Sequence, residues 1–565
     1  VGSARSVDTR AVASTLQAAC GVDASLSQFK SPFSDNKIVE STMEENTKAK
    51  KSIFNQVLLC CLANAALLSS GMSLGFTAVA LPYMVQPDSI VPIDEIQGSW
   101  IASLASIATP VGCLLSGHLV DRFGRRAGLL VIVVPMVIGW LLIGVSPSLT
   151  RLYLGRISTG VGTGLCSIPA TVYTAEIVDS SIRGLLVTGT SVSIAVGVVI
   201  VYILGALLKS QWQLVALICA AFPTVTTVLV YFLLPESPVW LITKNRPQEA
   251  TASLMRINRA SAPAQIREEM EILTERVRSN QKRSLALTST LKALTKPEAY
   301  KPLIIMNTFF FFQQFTGTFV VIFYAVDVVK EAGVTVDPFL VTILIGVTRL
   351  VFTFLAAYLS KQFGRRPPSI VSGAGMAVSL LTLATYLYLH PTPLEVAPLP
   401  LITNNTAMNL ITTTASPTTT NTTLITSNES VSYLPLTMLM LYIITSSIGF
   451  LTLPWSMIGE VYPPQVRGIA SGLTTCLAYG SSFLVLKMYP YMKEMLDKHG
   501  VFYFFGTMAC FGTLFVILFL PETEGKTLQE IEMQFTKKGR QAVLAKEEVA
   551  LHSTKKVTIV KSPQR

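Results

Sequence analysis

Eight stretches of this chain, each at least 22 residues long, contain no Asp, Glu, Lys, Arg or His. They are Ser52–Pro87, Ala127–Thr150, Leu185–Leu208, Ser210–Pro235, Pro302–Ala325, Pro367–Leu389, Ser430–Gly459 and Gly500–Pro521. A helix that crosses a bilayer needs about 20 apolar residues, whereas an apolar run of about 10–14 is what a buried core helix supplies. Four further runs carry at most one ionisable residue each: Ser99–Val120 with His118, Leu152–Ala175 with Arg156, Pro338–Ser360 with Arg349, and Gly468–Leu486. Twelve candidate spans result. The composition agrees, with 50% hydrophobic and 14% charged residues and a mean hydropathy of +0.53.

Basic residues orient the spans, because cytoplasmic loops collect Lys and Arg. Arg122, Arg125 and Arg126 follow span 2, Arg183 follows span 4, and Lys361, Arg365 and Arg366 follow span 8. Lys244–Lys301 holds twelve Lys/Arg, whereas Asp88–Gln97 and His390–Tyr433 hold none. Both termini are therefore expected in the cytoplasm. Lys487, Lys493 and Lys498 disagree, falling between spans 11 and 12 on the expected outside. The net charge of +11 is topology signal and calls for no nucleic acid. Residues 1–51 read as a polar cytoplasmic tail without a secretory apolar core. Seven of the eight Cys lie inside spans, which makes them apolar thiols rather than a disulfide framework.

The chain also repeats itself. FGRR ends at Arg126 and again at Arg366. Glu176 stands seven residues before Arg183, and Glu460 seven before Arg467. Pro235-Glu236 and Pro521-Glu522 close the two series. Two copies of a six-span unit are implied, 52–236 and 302–521, joined by a helical linker 237–301 and followed by a cytoplasmic tail 522–565. The second copy is longer by 44 residues between its FGRR and its Glu. One Thr/Ser/Asn-rich insert, 391–433, accounts for the surplus. It carries three N-x-S/T sequons, at Asn404, Asn421 and Asn428, in a composition that builds no core. It is expected outside and glycosylated.

Carboxylates facing Arg forks in a partly dry vestibule form strong, often bidentate bonds. Arg125, Arg126, Glu176, Arg183 and Glu236 of the first copy, with Arg365, Arg366, Glu460, Arg467 and Glu522 of the second, therefore read as an inner gate. Solvated topology charges are the alternative. The recurrence of the whole set favours the gate.

These motifs resemble the sugar porters of the major facilitator superfamily, the facilitative glucose transporter group. The resemblance covers about Lys51 to Glu532. It rests on "DRFGRR" 121–126, "GR" 155–156, "PESPVWL" 235–241, "QQFTG" 313–317, "QFGRR" 362–366, "PW" 454–455 and "PETEGKTLQEIE" 521–532. "GFLTLPWSMIGEVYP" is most similar to facilitated trehalose transporters. The resemblance implies an all-α membrane protein of twelve transmembrane helices in two six-helix pseudo-repeats, with an intracellular helical domain. It implies alternating access at a plasma membrane and a small neutral sugar as partner.

It also implies that Gln313 and Gln314 bind sugar hydroxyls and that Trp455 lends an apolar face. Three positions depart from the pattern. Phe319 stands where the family has Asn, Ala478–Tyr479 where it has Asn–Trp, and Arg349 where it has Asn in mid span 8. Tyr479 and Arg349 are thus substrate candidates of this chain's own. A central Arg costs about 2.5–3.5 kcal/mol on insertion scales, so it needs a cavity or a partner. Asp327 is the nearest carboxylate by sequence, and Tyr324 and backbone carbonyls are the other options.

Other chemistries lack their residues. "EGKT" 524–527 has Leu520 where a phosphate loop needs Gly. "GVGTGL" 160–165 lies inside span 4, where glycines let helices approach. The four His have no metal-ligand spacing, no nucleophile–base set stands out, and no cofactor is implied. The absence of a carboxylate in "LGFTAVALP" points to uniport, with Arg156 left to a structural role. A proton-coupled symporter and a non-transporting sensor remain as alternatives at this point.

Overall fold

The computed structural model describes residues 51–179, 182–282, 293–390, 433–463, 465–526 and 528–535. The sequons at Asn404, Asn421 and Asn428 lie outside these residues, as does the side chain of Arg183. Ile53–Arg565 forms one compact unit, and the described elements are helical.

Nine helices among the described residues are long and apolar enough to cross a membrane. Span 1 is Lys51–Met84, span 2 Glu95–Phe123, span 3 Arg125–Gly144, span 5 the helix Arg183–Leu208 and span 6 Trp212–Leu233. Spans 8, 9 and 10 are Pro338–Phe363, Arg366–Leu389 and Leu434–Val461. Helix Arg467–Phe519 counts twice, because Asp497 breaks it at φ 56° into spans 11 and 12. Span 4, Leu149–Ile177, is diluted by Gly and Thr. Span 7 is cut into Pro297–Phe315, Thr318–Phe323 and Ala325–Glu331. The total is twelve.

Local chemistry sets the helix starts. Asp94 caps span 2 with a reciprocal box, accepting from the Gln97 N–H at 2.6 Å while Gln97 Oε1 accepts from the Asp94 N–H at 3.3 Å. Asp337 caps span 8, with Pro338 in the first helical position, where its missing N–H costs nothing.

Glycines set the helix spacing. A Cβ on Gly112 would lie 2.1 Å from Val161 O, and one on Gly164 2.1 Å from Thr109 O. Spans 2 and 4 thus touch backbone to backbone. Gly71 and Gly197 do the same for spans 1 and 5, against Ile194 O and Leu68 O at 2.1 Å. Within the first half, span 2 also packs beside span 3's partner span 4, and span 3 meets span 6. In the second half, span 9 packs on span 10 and on helix Arg467–Phe519. The linker adds Pro238–Thr243, Pro247–Asn258 and Arg267–Lys282 beneath the first half.

The halves meet through span 2 on span 11, span 5 on span 8 and span 7 on span 1. Thr77 donates to Phe323 O at 2.9 Å, Tyr202 to Ile322 O at 2.8 Å, and Ser106 faces Ser482 at 3.4 Å. Tyr83 stacks on Phe339 with centroids 5.4 Å apart. These contacts run from mid-span to the end opposite the linker, and that end is closed.

The lysines that broke the charge bias lie at this closed end. Lys487 Nζ donates to Ser99 Oγ at 2.8 Å and sits 4.4 Å from the Trp100 ring centroid. Lys493 lies 2.9 Å from Glu331 of its own half and 3.6 Å from Glu95 of the other. Lys498 is exposed. A cation–π contact and a hydrogen bond together contribute roughly 1–2 kcal/mol. Lys487→Met is therefore expected to loosen the closed end, raising about five- to thirtyfold the labelling rate of a cysteine placed at Ser106. An unchanged rate would show that Lys487 does not hold the halves together.

Candidate functional site

Two ion clusters sit at the linker end, one per half, and they are near copies. In the first, the Arg125 side chain forks onto Glu176, with Nη2–Oε1 at 2.7 Å and Nε–Oε2 at 2.9 Å. Glu236 accepts the backbone N–H groups of Arg125 at 2.9 Å, Arg126 at 3.2 Å and Ser237 at 2.8 Å. The Ser237 hydroxyl donates to Glu176 and joins the two carboxylates into one network. In the second, Arg365 meets Glu460 at 2.8 and 3.3 Å. Glu522 accepts from the N–H groups of Arg365 at 2.8 Å and Arg366 at 3.0 Å. Thr523 takes the place of Ser237, donating to Glu460 at 2.7 Å.

The repeated FGRR now has a physical reason. Gly124 and Gly364 adopt φ of 105° and 87°, where a Cβ is costly. A Cβ there would also fall 2.3 Å from Glu236 Oε2 and 2.5 Å from Glu522 Oε2. The glycine turns the chain and leaves room for a carboxylate, which then accepts the first free N–H groups of the next helix. Arg126 and Arg366 reach in parallel to Tyr231 O and Ile517 O, tying spans 3 and 9 to spans 6 and 12. Arg467 donates to Tyr462 O at 3.2 Å.

The two clusters differ in burial. Burial lifts the Glu236 carboxyl above the usual carboxylate range, against the pull of its three N–H donors and Arg125. Glu522 is less buried, and its desolvation is outweighed by N–H bonds from Arg365, Glu524, Arg366 and Thr523, which hold it below that range. Arg365 also has a second carboxylate, Glu524, at 3.4 Å.

The mid-membrane candidates gather where spans 7 and 10 break. Span 10 is interrupted between Ile448 and Leu453, which frees backbone carbonyls. Gln313 Nε2 fills two of them, donating to Phe450 O at 2.7 Å and Leu451 O at 3.0 Å. Gln314 Nε2 donates to Gln313 Oε1 at 3.4 Å, and Gln314 Oε1 is buried with no partner among the described residues. The adjacent amides are therefore unequal: Gln313 closes a broken helix, and Gln314 keeps an unmet acceptor. Gly317, at φ 80°, makes the matching break in span 7, with Phe505 packed where a Cβ would go. Half-buried Trp455 lies edge-on to Phe310 at 4.8 Å and tilts against Tyr479 at 5.6 Å. Phe319 and Ala478 are buried core.

Arg349 is buried, and its Nε and Nη1 have no acceptor among the described residues. The group beside it is Tyr202. Asp327 instead lies among Glu331, Lys493, Lys330 and Glu95, and Tyr324 donates to Leu486 O at 3.2 Å. Arg156 is held by neutral groups, donating to Ile101 O and Ser73 O, both at 2.9 Å, and to Ser73 Oγ at 3.2 Å. Among the described residues no group of His, Cys, Asp and Glu has a metal-binding arrangement.

The family model described as "Sugar (and other) transporter" matches residues 32–535. This chain belongs to that family. It is 30% identical over 513 residues to the facilitated trehalose transporter Tret1 of Apis mellifera ligustica, covering 90% of this chain and 94% of the relative. It is 28% identical over 481 residues to Tret1 of Anopheles gambiae, covering 85% of this chain but only 56% of that longer relative. The inward-open xylose transporter XylE from E. coli aligns with a TM-score of 0.64 at 22% identity, over 85% of this chain and 99% of that one. At that identity the likeness shows the fold alone, the major facilitator fold of twelve spans in two pseudo-repeats. The chain is a multi-pass membrane protein.

Sequence reasoning missed Ser237 and Thr523, the hydroxyls that join the carboxylates. The signal was present, since each directly follows a repeated Pro-Glu. It also missed that Gly124 and Gly364 make room for those carboxylates, although the glycines recur with the arginines.

Proposed function

We propose that this chain is a facilitative carrier of a small neutral sugar, trehalose or a hexose, working by alternating access between halves 52–236 and 302–521. The observation that carries this reading is Gln314 Oε1, buried with no partner among the described residues at the paired breaks of spans 7 and 10, four residues on from Phe310, which packs on Trp455 and so leads to Tyr479. An unmet amide acceptor inside a membrane bundle is costly, and a sugar hydroxyl meets it. The two rings offer the apolar face that a pyranose stacks on. Family membership supports the same reading.

The linker end, where the basic loops lie, is the cytoplasmic end, and the closed end faces outside a plasma membrane. Residues 237–301 steady the cytoplasmic opening, and Asn404, Asn421 and Asn428 carry glycans outside. The ion clusters, with Arg183 and Arg467, set the relative stability of the open and closed cytoplasmic vestibule. Transport is uniport: Arg156 is held by Ser73 and a carbonyl, and a proton relay needs a titratable partner there. The carrier needs no cofactor, nucleic acid or obligate protein partner, and it catalyses no covalent step.

The test is counterflow of labelled trehalose and D-glucose into proteoliposomes holding the full chain. Saturable exchange, unaffected by an imposed pH gradient, is expected. Gln314→Leu is expected to raise the half-saturation concentration roughly tenfold, the worth of one hydrogen bond, with the protein folded. Gln313→Leu is expected to lower folded yield instead, because it unseals Phe450 O and Leu451 O. Absence of exchange would overturn the carrier reading, and exchange driven by a pH gradient would overturn uniport.

A further inference from the structure

One charge in the membrane core keeps two nitrogens without an acceptor among the described residues. Arg349 is only 8% exposed, and neither Nε nor Nη1 has an acceptor among the described residues. It lines a small cleft between the halves with Tyr202 of span 5, Thr318 of span 7, and Ser446, Ser447 and Leu451 of span 10. The cleft measures about 10 Å³, the room of one water. Three of its four hydroxyls have already spent their hydrogens. Tyr202 donates to Ile322 O at 2.8 Å, Ser446 to Ile443 O at 3.0 Å and Ser447 to the same carbonyl at 2.8 Å. What they still offer is oxygen lone pairs, so Arg349 brings donors to a cleft otherwise edged by acceptors. Leu451 is also one of the residues whose carbonyl takes the Gln313 amide, so the cleft adjoins the glutamine pair.

We propose that Arg349 is a specificity-determining contact of the carrier, a donor-only subsite that holds one end of the sugar through the lone pairs of its oxygens. This inference rests on the sugar-carrier reading. The ligand class follows from the shape of the guanidinium. Nε–H and the Nη1 hydrogens lie on different edges of the plane, so a single carboxylate fork does not meet both. Two separate oxygens do. A small anion would also face the lone pairs of Ser446, Ser447 and Tyr202, which repel it. Neighbouring hydroxyls of a sugar fit both demands, one entering the cleft and the other at its mouth, accepting from Arg349 while the inner one donates to a serine. The cleft admits a hydroxyl or a hydroxymethyl group and excludes a ring, so the ring itself stays beside Gln314 and Trp455. An Asn at this position would both donate and accept. Arg349 only donates, so the sugar oxygen it holds need only be an acceptor.

That difference can be measured. Counterflow in proteoliposomes would be inhibited with D-glucose, its deoxy and deoxyfluoro analogues position by position, and D-glucuronate. The unaltered chain, Arg349→Asn and Arg349→Lys would be compared. In the unaltered chain, one or two adjacent positions are expected to lose about tenfold or more in affinity on deoxygenation. The fluoro analogue at the same position, which retains an acceptor, is expected to lose much less. In Arg349→Asn that fluorine tolerance should disappear, and Arg349→Lys, also a pure donor, should keep part of it. Identical analogue patterns in the unaltered chain and Arg349→Asn would overturn the proposal. So would tighter inhibition by D-glucuronate than by D-glucose that is lost in Arg349→Asn, which would mark an anion site. If both variants fail to fold, the unaltered chain decides, because the absence of any deoxy-sensitive, fluorine-tolerant position sinks the idea. Sugar exchange without the pattern defeats only the Arg349 assignment. No exchange of any sugar defeats the carrier reading with it.

Discussion

Gly164→Ala is expected to disrupt the packing of spans 2 and 4 and the assembly of the first half, whereas Gly480→Ala is expected to leave the second half intact. A Cβ at Gly164 would fall 2.1 Å from Thr109 O, 2.6 Å from Cys113 N and 2.8 Å from Gly112 Cα. Each of those atoms is backbone, so no rotamer change relieves the clash. Spans 2 and 4 would have to move apart and lose the packing that fixes them, since lipid offers no hydrophobic drive to hold helices together. Overpacking in yielding cores costs about 1–3 kcal/mol, and a site walled by backbone belongs at or above the top of that range. That corresponds to roughly a hundredfold shift toward the unassembled state. Gly480 has nothing within 4 Å of its would-be Cβ, so composition alone does not predict the outcome. The measurement is monodispersity and yield of each variant after detergent extraction. Equal yields would mean that spans 2 and 4 are farther apart than the structure places them.

Much of this architecture was legible because two physical signals are written along the chain. The bilayer demands long uncharged runs, and duplication wrote FGRR, Glu and Pro-Glu twice in one order. The glycines of "GVGTGL" are packing residues, as their place inside a span implies, and Gly160, Gly162 and Gly164 all lie against neighbouring helices. The site was less legible for a specific reason. Gln313 and Gln314 look equivalent in sequence, and only the break in span 10 shows that one amide is consumed by Phe450 O and Leu451 O. A broken helix inside an apolar run leaves almost no compositional trace. Lys487 and Lys493 were anomalous for the same kind of reason, because a charge rule averaged over loops does not see that a given lysine meets Glu331, Glu95 or Trp100 across the bundle. Asp327 was the natural sequence partner for Arg349, and the structure sets it instead beside Lys493 and Lys330.

The two ion clusters are near copies, yet Glu176→Gln is expected to cost far more than Glu460→Gln. In the first half the Arg125 and Glu176 side chains are 12% and 15% exposed, so little solvent screens either charge. Neutralising Glu176 leaves the Arg125 guanidinium in a nearly dry site, with Val120 O at 3.2 Å and Asp121 only at 4.0 Å. Removing one partner of a buried pair costs about 3–5 kcal/mol, because the remaining charge is left uncompensated. In the second half Glu460 is 33% exposed, and Arg365 keeps Glu524 at 3.4 Å. Water and the second carboxylate absorb most of the loss there, and an effect of about 1 kcal/mol is expected. Folded yield and transport should therefore fall by more than a hundredfold in Glu176→Gln and by less than tenfold in Glu460→Gln. Reversing the pair as Arg125→Glu with Glu176→Arg should recover part of the loss, although the Ser237 hydroxyl would then lose the carboxylate to which it donates. Glu460→Gln combined with Glu524→Gln should bring the second half close to the penalty of the first. Equal effects of the two single substitutions would show that burial and the extra carboxylate do not govern these clusters.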